Sequence, residues 1–114
     1  MKIKGSFWFD IEEDCGFPEE FRPEWDQVEP LAIEAMTNYI KNMNDIGKVK
    51  GVKLIETTDC DEDDGFYCTA KLEGSEKDLR YLVYNNAGMD RGPNGEFTDP
   101  EGCQERWDDT VKIL

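Results

Sequence analysis

Residues 28–46 read VEPLAIEAMTNYIKNMNDI, and this segment determines the architecture that we expect. Its apolar side chains recur at intervals of three and four residues, which is the spacing of a single buried stripe on an α-helix. Asp26 followed by Glu29 is typical of a helix start, and Pro30 falls in the first turn, where a missing N–H costs no hydrogen bond. Gly47 suits a helix end. We therefore predict one long amphipathic helix over residues 28–46.

Segments on both sides of this helix alternate between apolar and polar residues. Residues 2–12 and 65–73 follow the period of two that is typical of a half-buried strand. Residues 48–58 predict another strand, with a bulge at Gly51. A strand is also predicted from Leu79 to Asn85, after a short polar turn. Near the end of the chain we expect one helical turn at 106–109 and a short last strand at 110–114.

The predicted order of elements is β-α-β-β-β, with a further strand left open. The chain has 114 residues, which is the usual size of one domain. We therefore expect an α+β fold, a single two-layer domain over residues 1–114. In it, one helix packs on a mainly antiparallel sheet of four or five strands.

The chain is strongly acidic, with 27 Asp and Glu residues against 13 Lys and Arg residues and a formal net charge of −14. Such a charge repels nucleic-acid phosphates and anionic lipids, so we expect neither direct nucleic-acid binding nor a membrane partner. Aromatic residues are frequent enough for a packed core. Because no signal-like segment is evident, we expect a cytoplasmic protein whose four cysteines are free thiols.

Three segments carry the negative charge. Residues 10–26 have a net charge of −7, residues 58–64 have −5, and residues 90–109 have −5. If successive elements alternate in direction, all three segments lie at the same end of the sheet. Charge concentrated at one end raises the free energy of the folded state by self-repulsion, which suggests a use beyond solubility, although solvated turns remain the alternative.

We interpret this charge as a binding surface for a basic protein, such as a nuclease or another nucleic-acid-binding protein. The protein would act as a nucleic-acid mimic that inhibits a defence nuclease, or as an immunity protein for a nuclease toxin. Two tryptophans in these segments are candidate anchors, since interface anchors are often aromatic. The predicted partner-binding residues are Glu12, Glu13, Asp14, Glu19, Glu20, Trp25, Asp59, Asp61, Glu62, Asp63, Asp64 and Trp107.

A calcium site is one alternative, because residues 90–101 resemble an EF-hand loop in places. The candidate ligands are Asp90, Asn94, Glu96 and Glu101. The resemblance fails at the third position, where Gly92 offers no side-chain oxygen, and the loop follows a predicted strand rather than a helix. The spacing of Cys60 and Cys68 is not that of a zinc site.

Enzyme signatures are lacking. The chain contains no histidine, the commonest general base, and no glycine-rich phosphate loop followed by Lys and Ser or Thr. We therefore expect a non-enzymatic protein without a cofactor. An accessory subunit of an enzyme is the remaining alternative, and the oligomeric state is left open.

Overall fold

The computed structural model describes residues 1–114. The elements are β1 (Lys2–Asp10), α1 (Trp25–Asp45), β2 (Lys53–Glu62), β3 (Gly65–Glu73), α2 (Glu76–Asn86), α3 (Pro100–Thr110) and β4 (Val111–Ile113). The strands form one antiparallel sheet in the order β2-β3-β1-β4. The predicted α+β class is confirmed. No helix is both long enough and apolar enough to cross a membrane.

The core lies between the helices and one face of the sheet. β1 and β3 pair so that Ile3 is opposite Leu72 and Phe9 is opposite Phe66, and all four side chains are buried. Apart from Gly65, which is buried, the residues that alternate with them on β1 and β3 are exposed or half-buried. One apolar cluster unites the buried strand residues with those of the helices, which are Ala32, Met36, Ile40, Leu79, Leu82, Val83 and Trp107.

The predicted long helix is confirmed, although it begins three residues earlier, at Trp25. Reciprocal hydrogen bonds between Glu24 and Gln27 fix the start: the side-chain oxygen of Gln27 accepts from the N–H of Glu24 at 2.9 Å, and the carbonyl oxygen of Glu24 accepts from the N–H of Gln27 at 2.9 Å. Pro30 lies within the helix, and Gly47 follows its end with φ +78°. The apolar stripe packs mainly on β2 and β3.

The predicted strand from Leu79 to Asn85 is wrong, because this segment is helix α2. Ser75 caps the helix, since its hydroxyl oxygen accepts from the N–H of Asp78 at 3.2 Å. The buried residues of α2 are Leu79, Leu82 and Val83, which is helical spacing. The fourth strand of the sheet is instead the three-residue β4, which pairs with β1 near residues 3–5.

Two other boundaries differ from the prediction. β2 begins at Lys53 and continues to Glu62, into the acidic segment, while residues 48–52 lie outside the strand. Gly51 has φ +70° and lies outside the strand, and the register shifts fall between Leu54 and Glu56 and between Thr58 and Asp61. The helical turn predicted at residues 106–109 belongs to α3, which has 11 residues and is capped by Asp99.

The order of the strands determines which turns lie at the same end of the sheet. Apart from α3, the connectivity is β-α-β-β-α-β with β3 between β1 and β2, which is the split β-α-β arrangement of ferredoxin-like proteins. In this arrangement the turns after β1 and after β2 lie at the same end of the sheet.

Candidate functional site

Two of the three acidic segments meet at one end of the sheet. Asp10 at the end of β1 is paired with Gly65 at the start of β3, so the turn after β1 lies beside the β2–β3 turn. Carboxylates from both turns line one surface depression of about 250 Å³ together with Ile11 and Arg22. We call this group the acidic end; its residues are Asp10, Glu12, Glu19, Glu62 and Asp64.

Two carboxylates shape the turn that follows β1. One oxygen of Asp10 accepts from the N–H groups of Glu12 and Glu13, at 2.8 and 2.7 Å. Asp14 reaches back to accept from the N–H of Asp10 at 2.7 Å. Such local bonds are the reason that Asp favours turns. The side chains of Glu12 and Glu13 are exposed and take no part in these hydrogen bonds.

The β2–β3 turn is also held in place. Asp64 has φ 56°, a left-handed conformation that Asp adopts more readily than most residues. The indole N–H of Trp8 donates to the carbonyl oxygen of Asp63 at 3.4 Å. The predicted residues Asp59, Asp61 and Asp63 are exposed on the same segment as Glu62 and Asp64.

The carboxylates of the acidic end have no cationic partner. The protein has three ion pairs, Lys41–Asp45, Lys71–Glu56 and Arg80–Glu76, and none involves residues 10–26 or 58–64. Arg22 lines the depression, but its guanidinium donates to the backbone carbonyls of Glu19 and Phe21, at 3.2 and 2.7 Å. The negative potential of this end is therefore largely uncompensated.

Trp25 is the most exposed large apolar residue, with 87% of its surface accessible. It is the first residue of α1 and borders a groove that also contains Glu29 and Ile33 of α1 and Cys60 of β2. Because α1 follows the turn that carries Glu19 and β2 leads into the β2–β3 turn, Trp25 lies on the same side of the molecule as the acidic end.

Trp107, in contrast, is not available to a partner. It is 3% exposed and belongs to the core, and the guanidinium of Arg80 covers its ring at 4.4 Å from the centroid. The prediction that Trp107 is an interface anchor is therefore wrong. Its burial follows from the packing of α3 against α2, which places this face of α3 inside the molecule.

No residue of the third acidic segment, 90–109, lines the depression at the acidic end. Phe97 packs against the rings of Tyr81 and Tyr84 on α2, at 5.8 and 5.4 Å between centroids. The segment then continues as α3 alongside the same helix, where Gln104 accepts from Arg80 at 3.0 Å. The depression therefore combines carboxylates from two of the three predicted segments. Aromatic contacts hold Phe97 of the third segment against the C-terminal half of α2, whose last residue, Asn86, bonds the backbone of Trp8 on β1.

In the loop that resembles an EF-hand, polar groups form hydrogen bonds within the loop itself. Glu96 accepts from the N–H of Asn94 at 3.0 Å, and Asp90 accepts through its backbone from the N–H of Thr98. Glu101 lies in the first turn of α3. The structure contains no group of three or more Asp, Glu, Cys or His side chains arranged to hold a metal ion.

A cavity that no sequence pattern predicts lies between α1, the turn after β1 and the end of α2. Its volume is about 330 Å³, and Cys15, Glu34, Tyr39 and Asn85 are among the residues that line it. Burial raises the pKa of Tyr39 to about 12, and burial together with nearby carboxylates raises the pKa of Cys15 to about 11. No local pattern in the sequence signals this cavity, because its walls come from three separate segments.

Comparisons with models of protein families, with curated proteins and with solved structures find no match.

Proposed function

We propose that this protein is a non-enzymatic binding protein whose acidic end covers a basic surface on another protein. The observation that carries the proposal is the convergence of the acidic end's five carboxylates, without an ion-pair partner, on two turns that hydrogen bonds hold in place. The basic surface is one that otherwise holds nucleic acid, because carboxylates spaced along a fixed surface can occupy Lys and Arg sites that bind phosphates.

Trp25 gives this surface an apolar anchor. Interfaces commonly combine a desolvated aromatic residue with a polar rim, and charge complementarity around it accelerates association. An exposed tryptophan beside Asp26 and Glu29 has both parts of that arrangement. Two kinds of protein combine these features, a nucleic-acid mimic that inhibits a nuclease and an immunity protein for a nuclease toxin, and the proposal includes both.

A charge-neutral variant of the acidic end tests the proposal. The variant Glu12→Gln/Glu62→Gln/Asp64→Asn removes three charges and keeps Asp10, which shapes its turn. The matched control Glu101→Gln/Glu105→Gln/Asp108→Asn removes three charges from α3. Each immobilised chain is exposed to a lysate of the cells that produce the protein, with and without added duplex DNA. The retained proteins are then quantified at increasing salt concentration.

We expect at least one protein that the original chain and the α3 control retain at low salt, that high salt releases and that duplex DNA displaces. The acidic-end variant should retain it about tenfold less, since each exposed charge contributes up to about 1 kcal/mol. If the two variants retain the same proteins equally, or if DNA displaces none of them, the proposal is wrong.

A further inference from the structure

The cavity beside α1 has the size and apolar floor of a small-molecule site. Its volume of about 330 Å³ falls within the range of ligand pockets. Phe9 from β1 and Leu31, Ala35 and Met43 from α1 supply apolar surface. A ligand with an apolar body would remove this surface from water.

The walls of the cavity are fixed by contacts within the protein. The hydroxyl group of Tyr39 donates to the carbonyl oxygen of Leu82 at 2.8 Å and accepts from the side-chain amide of Asn85 at 2.9 Å. Phe17 stacks on Phe21, with 4.3 Å between the ring centroids. A site whose walls are held in this way needs little reorganisation to bind a ligand.

The charge of the cavity selects the class of ligand. Asp14 and Glu34 contribute carboxylates to the lining, and no Lys or Arg is among the lining residues. Arg91 donates to Asn85, but its guanidinium is held over the rings of Tyr81 and Phe97, at 5.3 and 4.7 Å from the centroids. The lining therefore favours a cation and repels an anion.

The raised pKa of the Cys15 thiol is consistent with a negatively charged lining. Burial is the first cause of its raised pKa, and the carboxylates of Asp14, Asp10 and Glu34 add to it by disfavouring a second negative charge. The negative charges of Asp14 and Glu34 therefore raise the pKa of a group that lines the cavity.

We propose that the cavity binds a small organic amine with an apolar, ring-sized body. The ammonium group lies near the carboxylates of Asp14 and Glu34, and the body packs against Phe9, Leu31 and Met43. Hydrogen bonds between charged groups are stronger than neutral ones, so the ammonium gives the ligand an advantage over an alcohol of the same shape. This site is distinct from the acidic end and does not depend on the function proposed for it.

A matched pair of ligands tests the proposal on the full chain. 2-Phenylethylamine carries the ammonium, and 2-phenylethanol is its neutral counterpart. Each is titrated while the side-chain amide signals of Asn38, Asn42 and Asn85, which line the cavity, are followed by NMR. We expect the amine to bind with a Kd of about 1 mM or tighter and the alcohol to bind about tenfold more weakly.

Three variants locate the interaction. Glu34→Gln should weaken amine binding about tenfold and leave the alcohol unchanged, whereas Glu29→Gln, on the same helix outside the cavity, should change neither. Ala35→Leu fills the cavity and should weaken both ligands. Equal binding of amine and alcohol, absence of binding, or unchanged amine binding in Ala35→Leu or Glu34→Gln would overturn the proposal.

Discussion

Gly5 on β1 and Gly65 on β3 are both buried but differ in the space around them. A Cβ atom at Gly65 would lie 2.5 Å from the carbonyl oxygen of Phe9 and from the ring of Trp8. At Gly5 the nearest atoms lie at 3.5 Å or more, which is ordinary van der Waals contact. The approach of Trp8 to Gly65 is what allows the indole to reach the β2–β3 turn.

Gly65→Ala should therefore destabilise the protein by about 2 kcal/mol, because neither a backbone oxygen nor a packed ring can move away cheaply. Gly5→Ala is the matched control and should change the free energy of unfolding by less than about 1 kcal/mol. Urea denaturation measures both values. Equal effects of the two substitutions would show that the contact with Trp8 does not constrain the turn.

The sequence predicts individual residues well where a regular period applies. Ile3, Phe7 and Phe9 share a parity in the sequence and are buried on one face of β1. Trp25 and Trp107 both lie outside such a pattern, and one is exposed while the other is in the core. Their burial is decided by how the ends of α1 and α3 meet the rest of the protein, which a local pattern does not contain.

The comparison of α1 with α2 shows that a long apolar pattern identifies a helix, whereas a short one also fits a strand. The apolar stripe of α1 repeats over five turns and fits only a helix. In the shorter α2, Leu79, Tyr81 and Val83 alternate like a strand, while Leu79, Leu82 and Val83 recur like a helix. Ser75 followed by Asp78 is the one local signal that favours the helix, since it matches an N-cap pattern.

Ser75→Ala removes the side-chain oxygen that accepts from Asp78, so it should lower the free energy of unfolding by about 1 kcal/mol. Ser6→Ala, at an exposed position of β1, is the control and should change it by less than about 0.5 kcal/mol. Thermal and urea unfolding compare the two variants. A Ser75→Ala protein as stable as the original chain would contradict the capping role.

The alternating direction of successive elements correctly predicts where two of the acidic turns lie, even though the type of one later element, α2, was predicted wrongly. The turns after β1 and β2 meet at one end as expected, because that result depends only on β1, α1, β2 and β3. The third acidic segment contributes no residue to the depression between these turns, because it packs along α2 and continues as α3. The cavity beside α1 also requires the complete fold, since no single segment forms more than one of its walls.

The raised pKa values predict a loss of stability in alkali. The pKa of Cys15 is raised from the ordinary thiol value of 9.0 to about 11, and that of Cys68 from 9.0 to about 12. The pKa of Tyr39 is raised from 10.0 to about 12. Burial is the main cause in each case. The folded protein therefore retains protons that the unfolded chain releases, and the free energy of unfolding should fall as the pH rises above about 9.

Urea denaturation at pH 7, 9 and 10.5 measures this fall. Each fully titrating group contributes at most about 1.4 kcal/mol per pH unit. Cys68→Ala should be less stable at pH 7 but should lose less stability between pH 9 and 10.5, because the unfolded chain then has one thiol fewer to ionise. An identical pH dependence in the two proteins would contradict the role of Cys68.

The two edge strands of the sheet determine whether molecules can pair edge to edge in concentrated solutions. One edge is β4, with only three residues, and the other is β2, whose register shifts twice and whose Asp59 has φ 52°. A strand from a second molecule needs a long, regular row of free N–H and C=O groups to pair with, and a bulged strand that carries charge interrupts that row. Neither edge therefore offers a template for cross-β aggregation, so we expect concentrated solutions of this protein to stay free of fibrils.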